Sequence, residues 1–258
     1  MNGTLVLLDQ EEPHISMLSL NRPDKRNALS IDLMTELCET IETVESDPEQ
    51  RVIILRGVGP VFCAGLDLHE VAIPEKAEES AKLVAKTLKA LSTTSLVTIA
   101  AVHGAAMAGG AGLMSACDFA IAETSAKFGY PEVHRGLVAG LVMGFLARQV
   151  SGRTLREILL LGETFNSEKA KQWGLLNEVT EAEHLIEHAL KLAQSVIKGA
   201  PGAIDLTKKL MEKLEPRSIE EELQQALEFH VHARESKEAI EGVQAFLEKR
   251  DPVWKKSD

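Results

Sequence analysis

Short apolar runs and longer amphipathic stretches alternate along the first 200 residues. The run of valine, isoleucine and leucine within residues 51–56 indicates a buried strand, and the run at residues 96–102 indicates another. After Ser30, apolar residues at positions 33, 34, 37, 41 and 44 recur at helical spacing. Strands separated by helices predict crossover connections and a largely parallel sheet. Strands are predicted at residues 4–8, 14–20, 51–56, 96–102, 118–123 and 176–179.

From about residue 182 to residue 249 the pattern is helical throughout, and no further strand is predicted. Breaks are predicted near residues 199–202 and at Pro216, and Ser218 with Glu221 has the spacing of a capping box. The pattern therefore predicts an α/β body over residues 1–200 and a C-terminal helical region over residues 201–258. Within the body, helices are predicted at residues 67–91, 136–148 and 154–161, and one helix starts within residues 104–112.

Composition and charge restrict the classes of function. The chain has 258 residues, 45% of them apolar, and a formal charge of −11, which disfavours nucleic acid as a partner. No run approaches the ~20 apolar residues of a membrane span. The three cysteines are scattered, as expected for reduced thiols in a cytoplasmic protein, and no cluster with metal-ligand spacing is present. We therefore predict no membrane partner and no metal.

Candidate chemistry lies in three segments, at residues 62–67, 104–112 and 128–132. The first two are rich in small residues and follow buried strands, where a backbone can approach a ligand closely. Free N–H groups at a helix start favour negative charge, and two of them aimed at one point make an oxyanion hole. Tight packing alone would also explain such loops. The glycine spacings of dinucleotide and triphosphate sites are absent, as is the G-x-S-x-G motif of α/β-hydrolases.

These segments resemble the crotonase (enoyl-CoA hydratase/isomerase) superfamily in order and spacing. The resemblance also includes residues 21–29 and 162–175, and it extends over essentially the whole chain. It implies a crotonase-like spiral of ββα units with a C-terminal helical trimerisation region. It also implies an acyl-CoA thioester as partner, a homotrimer or dimer of trimers, and no cofactor other than the CoA that belongs to the substrate.

The resemblance also assigns site residues. It places the oxyanion-hole N–H groups on Ala64 and Gly109 and the family's second catalytic glutamate on Glu132. Its first catalytic glutamate falls on Gly112, which has no side chain and leaves space beside the substrate. Lys25 and Arg26 fall where relatives bind the CoA adenine and phosphates. Further substrate contacts are expected at Leu66, Asp67, Tyr130, His134, Phe246 and Lys249.

A single glutamate favours isomerisation of a 3-enoyl-CoA to a 2-enoyl-CoA, with Glu132 as the only acid/base. The alternatives are hydration with one carboxylate, malonyl-type decarboxylation, and acyl-CoA binding without catalysis. Asp67 is also expected to cap the following helix. Packing would equally explain Tyr130 and Phe246, and a surface location would explain His134 and Arg135, which could otherwise recognise a carboxylate on the acyl group.

Overall fold

The apolar runs pair into a six-stranded sheet in the computed structural model, which describes residues 3–255. The nine strands are β1 (Val6–Glu12), β2 (Ile15–Leu20), β3 (Val52–Gly57), β4 (Val97–Val102), β5 (Ala105–Met107), β6 (Phe119–Glu123), β7 (Lys127–Gly129), β8 (Phe165–Asn166) and β9 (Glu178–Thr180). The order in the main sheet is β1-β2-β3-β4-β6-β9, and only the β1–β2 hairpin is antiparallel. The prediction of a largely parallel sheet is therefore confirmed.

A second sheet, in the order β5-β7-β8, was not predicted. Its strands have only two or three residues and lie in segments without alternating polarity, so their pairing depends on partners distant in the chain. An isolated bridge between Cys63 and Ala106 joins the loop at residues 62–67 to β5. This small sheet holds two of the candidate segments against each other.

Eleven α-helices cover the described part of the chain. They are α1 (Ile31–Ser46), α2 (Leu68–Val71), α3 (Pro74–Thr93), α4 (Gly109–Ala116), α5 (Gly140–Ala147), α6 (Gly152–Leu161), α7 (Ser167–Gln172), α8 (Leu185–Ile197), α9 (Pro201–Leu214), α10 (Ile219–Arg234) and α11 (Lys237–Leu247). Ser30 accepts a hydrogen bond from the Leu33 N–H, and the Ser218–Glu221 capping box is present. Both predicted helix starts are therefore confirmed.

Two predicted helices differ from the observed ones. The helix predicted at residues 67–91 is two helices, because Pro74 occupies the first turn of α3 and cannot continue α2. The helix predicted to start at residue 136 starts at Gly140, after a 3₁₀ helix at Pro131–Arg135 that ends at Gly136 with φ +66°. That conformation suits glycine and ends the turn.

The main sheet is covered on both faces, so its central strands are apolar throughout. In β3, Ile53 and Leu55 belong to the larger core, together with α1, α3, α4 and α5, whereas Val52 and Ile54 face the smaller core under α8. α10 packs against α3 and α5 and adds to the larger core. The boundary predicted at residue 200 falls in the break between α8 and α9. No helix within residues 3–255 combines the length and hydropathy needed to cross a membrane.

Candidate active site

A cavity of about 790 Å³ lies between the larger core and the C-terminal helices. Its size is in the ~300–1,000 Å³ range of small-molecule sites. Residues from the 62–67 loop, the start of α4, the 3₁₀ helix at Pro131–Arg135, α10 and α11 line it. Of the predicted site residues, nine lie there: Lys25, Arg26, Ala64, Leu66, Asp67, Gly109, Glu132, His134 and Phe246. Gly112, Tyr130 and Lys249 are not among the lining residues.

Backbone hydrogen bonds hold the two glycine loops together at the cavity wall. The Cys63 N–H donates to Ala105 O at 3.1 Å, and the Met107 N–H donates to Cys63 O at 3.0 Å. Gly65 has φ +91°, and a Cβ there would approach Met107 O to 2.8 Å, so only glycine fits. Ala108, just before α4, has φ +49°, a strained value for a residue with a side chain.

The predicted oxyanion donor at Ala64 is corrected, because its N–H is already engaged. It donates to Arg26 O at 3.0 Å. Two residues on, Leu66 forms a parallel bridge with Leu29, in which Leu29 N–H donates to Gly65 O and Asp67 N–H donates to Leu29 O. That pairing turns the N–H of Leu66 itself away from Leu29.

Within the two glycine loops, the N–H groups of Leu66 and Gly109 form no backbone hydrogen bond inside residues 3–255. They are close neighbours, because a Cβ placed on Gly109 would lie 3.8 Å from Leu66 N. Gly109 is the first residue of α4, where backbone N–H groups have no intrahelical partner and the helix dipole favours negative charge. The geometry therefore offers a pair of converging donors at Leu66 and Gly109.

Glu132 lies in the 3₁₀ helix with its carboxylate against the cavity. The residue keeps partial exposure overall, but its Oε2 atom is buried and has no hydrogen-bond partner in the described chain. Burial raises the pKa of Glu132 to about 7, and the charge of Arg135 opposes the shift only partly. A carboxylate with a pKa near neutrality can accept and return a proton.

The expectation that Gly112 opens space is wrong, because Val142 fills that space. A Cβ built on Gly112 would overlap Val142 Cγ1, and Val142 itself lines the cavity. Gly112 lies inside α4 and is fully buried. The volume beside Gly112 is thus taken by an aliphatic side chain from α5.

Tyr130 and Lys249 lie outside the cavity lining. The Tyr130 ring is fully buried, and its hydroxyl lies 2.9 Å from Ser115 Oγ and 3.4 Å from Ala111 O. Burial raises the pKa of Tyr130, so it stays a neutral phenol. Lys249 follows α11 with φ +55°. Phe246 does reach the cavity, and the Arg135 guanidinium carbon lies 4.3 Å from its ring centre.

Two basic side chains lie on the cavity lining, next in sequence to the exposed Asp24, which also lines it. Lys25 and Arg26 are exposed there, and neither forms an ion pair within residues 3–255. Asn27 holds their turn in place, because its buried side-chain amide donates to Val58 O, Val61 O and Phe62 O. This structural role was not predicted.

Two further predicted residues make local contacts at the lining. Asp67 accepts from the His69 N–H at the start of α2, which confirms the predicted cap, and pairs with Arg22 at 3.0 Å. His134 is exposed, and its Nε2 lies 2.8 Å from Leu161 O. These contacts fix the edges of the cavity.

Two polar residues of α10 were missed by the sequence analysis. His230 lines the cavity, and Arg234 lies one turn further along the same helix. The helical pattern alone placed both in a generic C-terminal helix, about 100 residues from the candidate loops. The only available signal was two basic residues at i, i+4 spacing, which in isolation is unremarkable.

Comparisons with known proteins agree with this site. Residues 10–257 match the family model described as enoyl-CoA hydratase/isomerase. The chain is 34% identical to the mevalonyl-coenzyme A hydratase of Aspergillus fumigatus, over 95% of this chain and 93% of that protein. Its structure resembles the crystal structure of an enoyl-CoA hydratase from Mycobacterium avium with a TM-score of 0.87 at 32% identity, covering 98% of this chain and 100% of the other.

Proposed function

The chain belongs to the enoyl-CoA hydratase/isomerase family, and from that premise we propose that it isomerises 3-enoyl-CoA thioesters to 2-enoyl-CoA thioesters. The observation that carries the proposal is the Glu132 carboxylate, which has a buried, unpartnered oxygen and a pKa raised to about 7 and which lines the same cavity as the Leu66 and Gly109 backbone donors. The resemblance places the family's first catalytic glutamate at Gly112, where this chain has no side chain and Val142 fills the space. Hydration requires one group to activate water while carbon gains a proton, and one carboxylate does this poorly.

In the proposed reaction, Glu132 removes a proton from C2 of the 3-enoyl group. The thioester oxygen then carries the charge of a dienolate, and the N–H groups of Leu66 and Gly109 donate to it. Donors of this kind are typically worth ~10²–10³ in rate each. The protonated Glu132 returns its proton to C4, two bonds from C2, and leaves the double bond in conjugation with the thioester.

The CoA portion is proposed to lie beside the two basic side chains that follow Asp24 in the cavity lining. Lys25 and Arg26 are free to meet its phosphates, and Phe246 offers an aromatic face nearby. CoA belongs to the substrate, so no separate cofactor is proposed. The three cysteines are free and buried, which supports a cytoplasmic location.

Hydration is the second candidate, because several relatives are named hydratases, including the one from Aspergillus fumigatus. It would use the same donors and Glu132, with water bound beside Val142. Decarboxylation of a malonyl-type thioester would need the donors but no base, since loss of carbon dioxide itself generates the enolate.

One assay separates these reactions. The protein is incubated with a 3-enoyl-CoA, crotonyl-CoA and malonyl-CoA, and products are identified by mass spectrometry and by absorbance of the conjugated thioester. We expect the 3-enoyl-CoA to gain that absorbance at unchanged mass, and Glu132→Gln to abolish the change. Glu183→Gln, at an exposed glutamate of the same chain, is the matched control. Addition of water to crotonyl-CoA at a comparable rate would instead identify a hydratase.

We also propose that the protein assembles as a homotrimer or a dimer of trimers. The support is a set of exposed apolar side chains on the C-terminal helices, and the strongest concentration lies on α9. Contiguous apolar surface of this kind usually marks an interface.

A further inference from the structure

The 3₁₀ helix at Pro131–Arg135 brings two groups of opposite charge to the cavity. Glu132 and Arg135 both line the cavity and are three residues apart in this helix. Side chains at i and i+3 of a 3₁₀ helix lie above one another, so these two share one side of the helix. Glu132 Oε2 and Arg135 Nε are both buried without a hydrogen-bond partner within residues 3–255. The turn that carries the proposed base therefore also carries a partly buried positive charge.

Arg135 is held in place from two sides. Its Nη1 donates to Pro131 O at 3.2 Å, and its guanidinium carbon lies 4.3 Å from the ring centre of Phe246 in α11. A cation over an aromatic face is attracted to the ring. The helix α11 itself packs closely on the turn, because a Cβ on Gly242 would lie 2.5 Å from Arg135 C. These contacts restrict the guanidinium to the cavity wall that carries Glu132.

The two charged groups act on each other. Burial raises the pKa of Glu132 to about 7, and the charge of Arg135 opposes that rise. Burial likewise lowers the pKa of Arg135, and the charge of Glu132 opposes that shift. They interact by charge and not by a hydrogen bond, so the Glu132 carboxylate is not held by the guanidinium. A base that is influenced at this range keeps its oxygens available for a substrate proton.

Other titratable and charged groups surround the same turn. His134 lies on the turn itself, and the rest of the cavity lining contributes Asp24, Lys25, Arg26, Asp67, His69, Glu163 and His230. The helices α6 and α11 pack against the turn and carry Arg153, Arg156, Glu157, Lys237, Glu238 and Glu241. Glu157 pairs with Lys169, and Glu241 pairs with Arg250. Among all these groups, the charge that acts on Glu132 is that of Arg135.

We propose that Arg135 is a positioning residue for the reaction, which acts through Glu132 by keeping the carboxylate ionised at neutral pH. The inference rests on the proposed function only in that Glu132 is the base. Without the Arg135 charge, burial would act on Glu132 unopposed, and most of the carboxyl would be protonated at pH 7. Phe246 contributes by holding the guanidinium against the wall. Lysine at position 135 would retain the charge without the planar group that stacks on the ring.

Carbon-13 NMR of protein labelled at the glutamate carboxyl carbons titrates Glu132 directly and requires no turnover. The Glu132 signal is the one missing from Glu132→Gln. We expect a titration midpoint near pH 7 in the wild type and about one pH unit higher in Arg135→Met. Arg135→Lys should give a midpoint between these two. Arg153→Met removes an exposed arginine of α6 and should leave the midpoint unchanged. A failed isomerase assay would leave this result standing.

The pH dependence of kcat/KM for a 3-enoyl-CoA gives the second readout. With the midpoint raised by about one pH unit, Arg135→Met should be about fivefold slower than the wild type at pH 7 and nearly equal to it at pH 9. Thermal unfolding verifies that each variant folds, and Arg135→Gln is a second neutral variant that keeps a donor. A Glu132 midpoint that stays in place in both neutral variants would overturn the proposal. So would an equal loss of kcat/KM at all pH values, which would assign Arg135 to substrate binding.

Discussion

The Glu132 carboxyl is subject to opposing requirements of chemistry and folding. The proposed chemistry needs the ionised form as a base, but burial of Oε2 without a partner disfavours that form. The result is a pKa raised to about 7, close to the value at which a group both accepts and returns a proton efficiently. Two measurements at the level of this residue follow from the shift, one kinetic and one thermodynamic.

The kinetic expectation concerns the free enzyme. Only ionised Glu132 can remove the C2 proton, so kcat/KM for a 3-enoyl-CoA should rise about tenfold per pH unit below pH 7 and level off above it. Steady-state rates between pH 5 and pH 9 would check this, with protein stability verified over the same range. If kcat/KM stays constant down to the ordinary glutamate pKa, the pKa of Glu132 is not raised, and the buried, unpartnered state of its carboxylate would be contradicted.

The thermodynamic expectation is that Glu132→Gln stabilises the fold at high pH. The folded-state pKa is raised from 4.5 to about 7, so below pH 4.5 the carboxyl is neutral in both states and costs nothing. As pH rises from 4.5 through 7, the unfolded chain ionises first, and the wild type loses stability by ~3 kcal/mol. Urea unfolding of both proteins should give equal free energies near pH 4 and a gap of that size at pH 8. A difference in unfolding free energy that stays the same at both pH values would indicate a packing effect and not a titration effect.

At the scale of elements, the contact between α4 and α5 determines whether position 112 can hold a side chain. Gly112 of α4 and Val142 of α5 share one volume, because a Cβ on Gly112 would overlap Val142 Cγ1. The absence of a side chain at Gly112 is thus matched by the aliphatic side chain of Val142. The space that a side chain at position 112 would need is filled by packing between the two helices.

A double-mutant cycle tests this complementarity. Gly112→Ala alone should destabilise the protein by about 1–3 kcal/mol through overpacking. In a Val142→Ala background the same change should cost less or become favourable, because alanine is the better helix former and the overlap is gone. Denaturant unfolding of the four proteins should give a coupling energy of about 1 kcal/mol or more. Additive effects would mean that the two side chains do not compete for space.

The elements also show which features local sequence can predict. β3, β4 and the caps at Ser30 and Ser218 were predictable because a few neighbouring residues determine them. β5, β7 and β8 were not, since strands of two or three residues exist only through their partners. The assignment of Ala64 failed for the same reason. Which N–H remains free depends on Arg26 and Leu29, nearly 40 residues earlier, just as the space beside Gly112 depends on Val142.

At the scale of the whole molecule, the distribution of apolar surface is uneven. The β-sheet core is closed on both faces, but α9, whose Ile204 packs against the smaller core, also presents an apolar stripe to solvent. The stripe consists of Leu206, Leu210, Met211 and Leu214, each more than half exposed. Phe229 of α10 and Leu160 of α6 are also exposed. Exposed apolar surface of this extent lowers solubility unless it is covered, so association is its expected role.

Disruption of the stripe should therefore change the assembly and leave the fold intact. Leu206→Asp combined with Leu214→Asp places two charges in the predicted interface, and we expect monomers where the wild type sediments as a trimer or hexamer. Thr43→Asp, at an exposed position of α1, adds charge to a helix surface outside the C-terminal region and should leave the assembly unchanged. Sedimentation velocity over a hundredfold concentration range, with circular dichroism to verify folding, makes the distinction. The prediction that α9 lies in an interface would be contradicted if the wild type sediments as a monomer at the highest concentration or if the double variant still assembles.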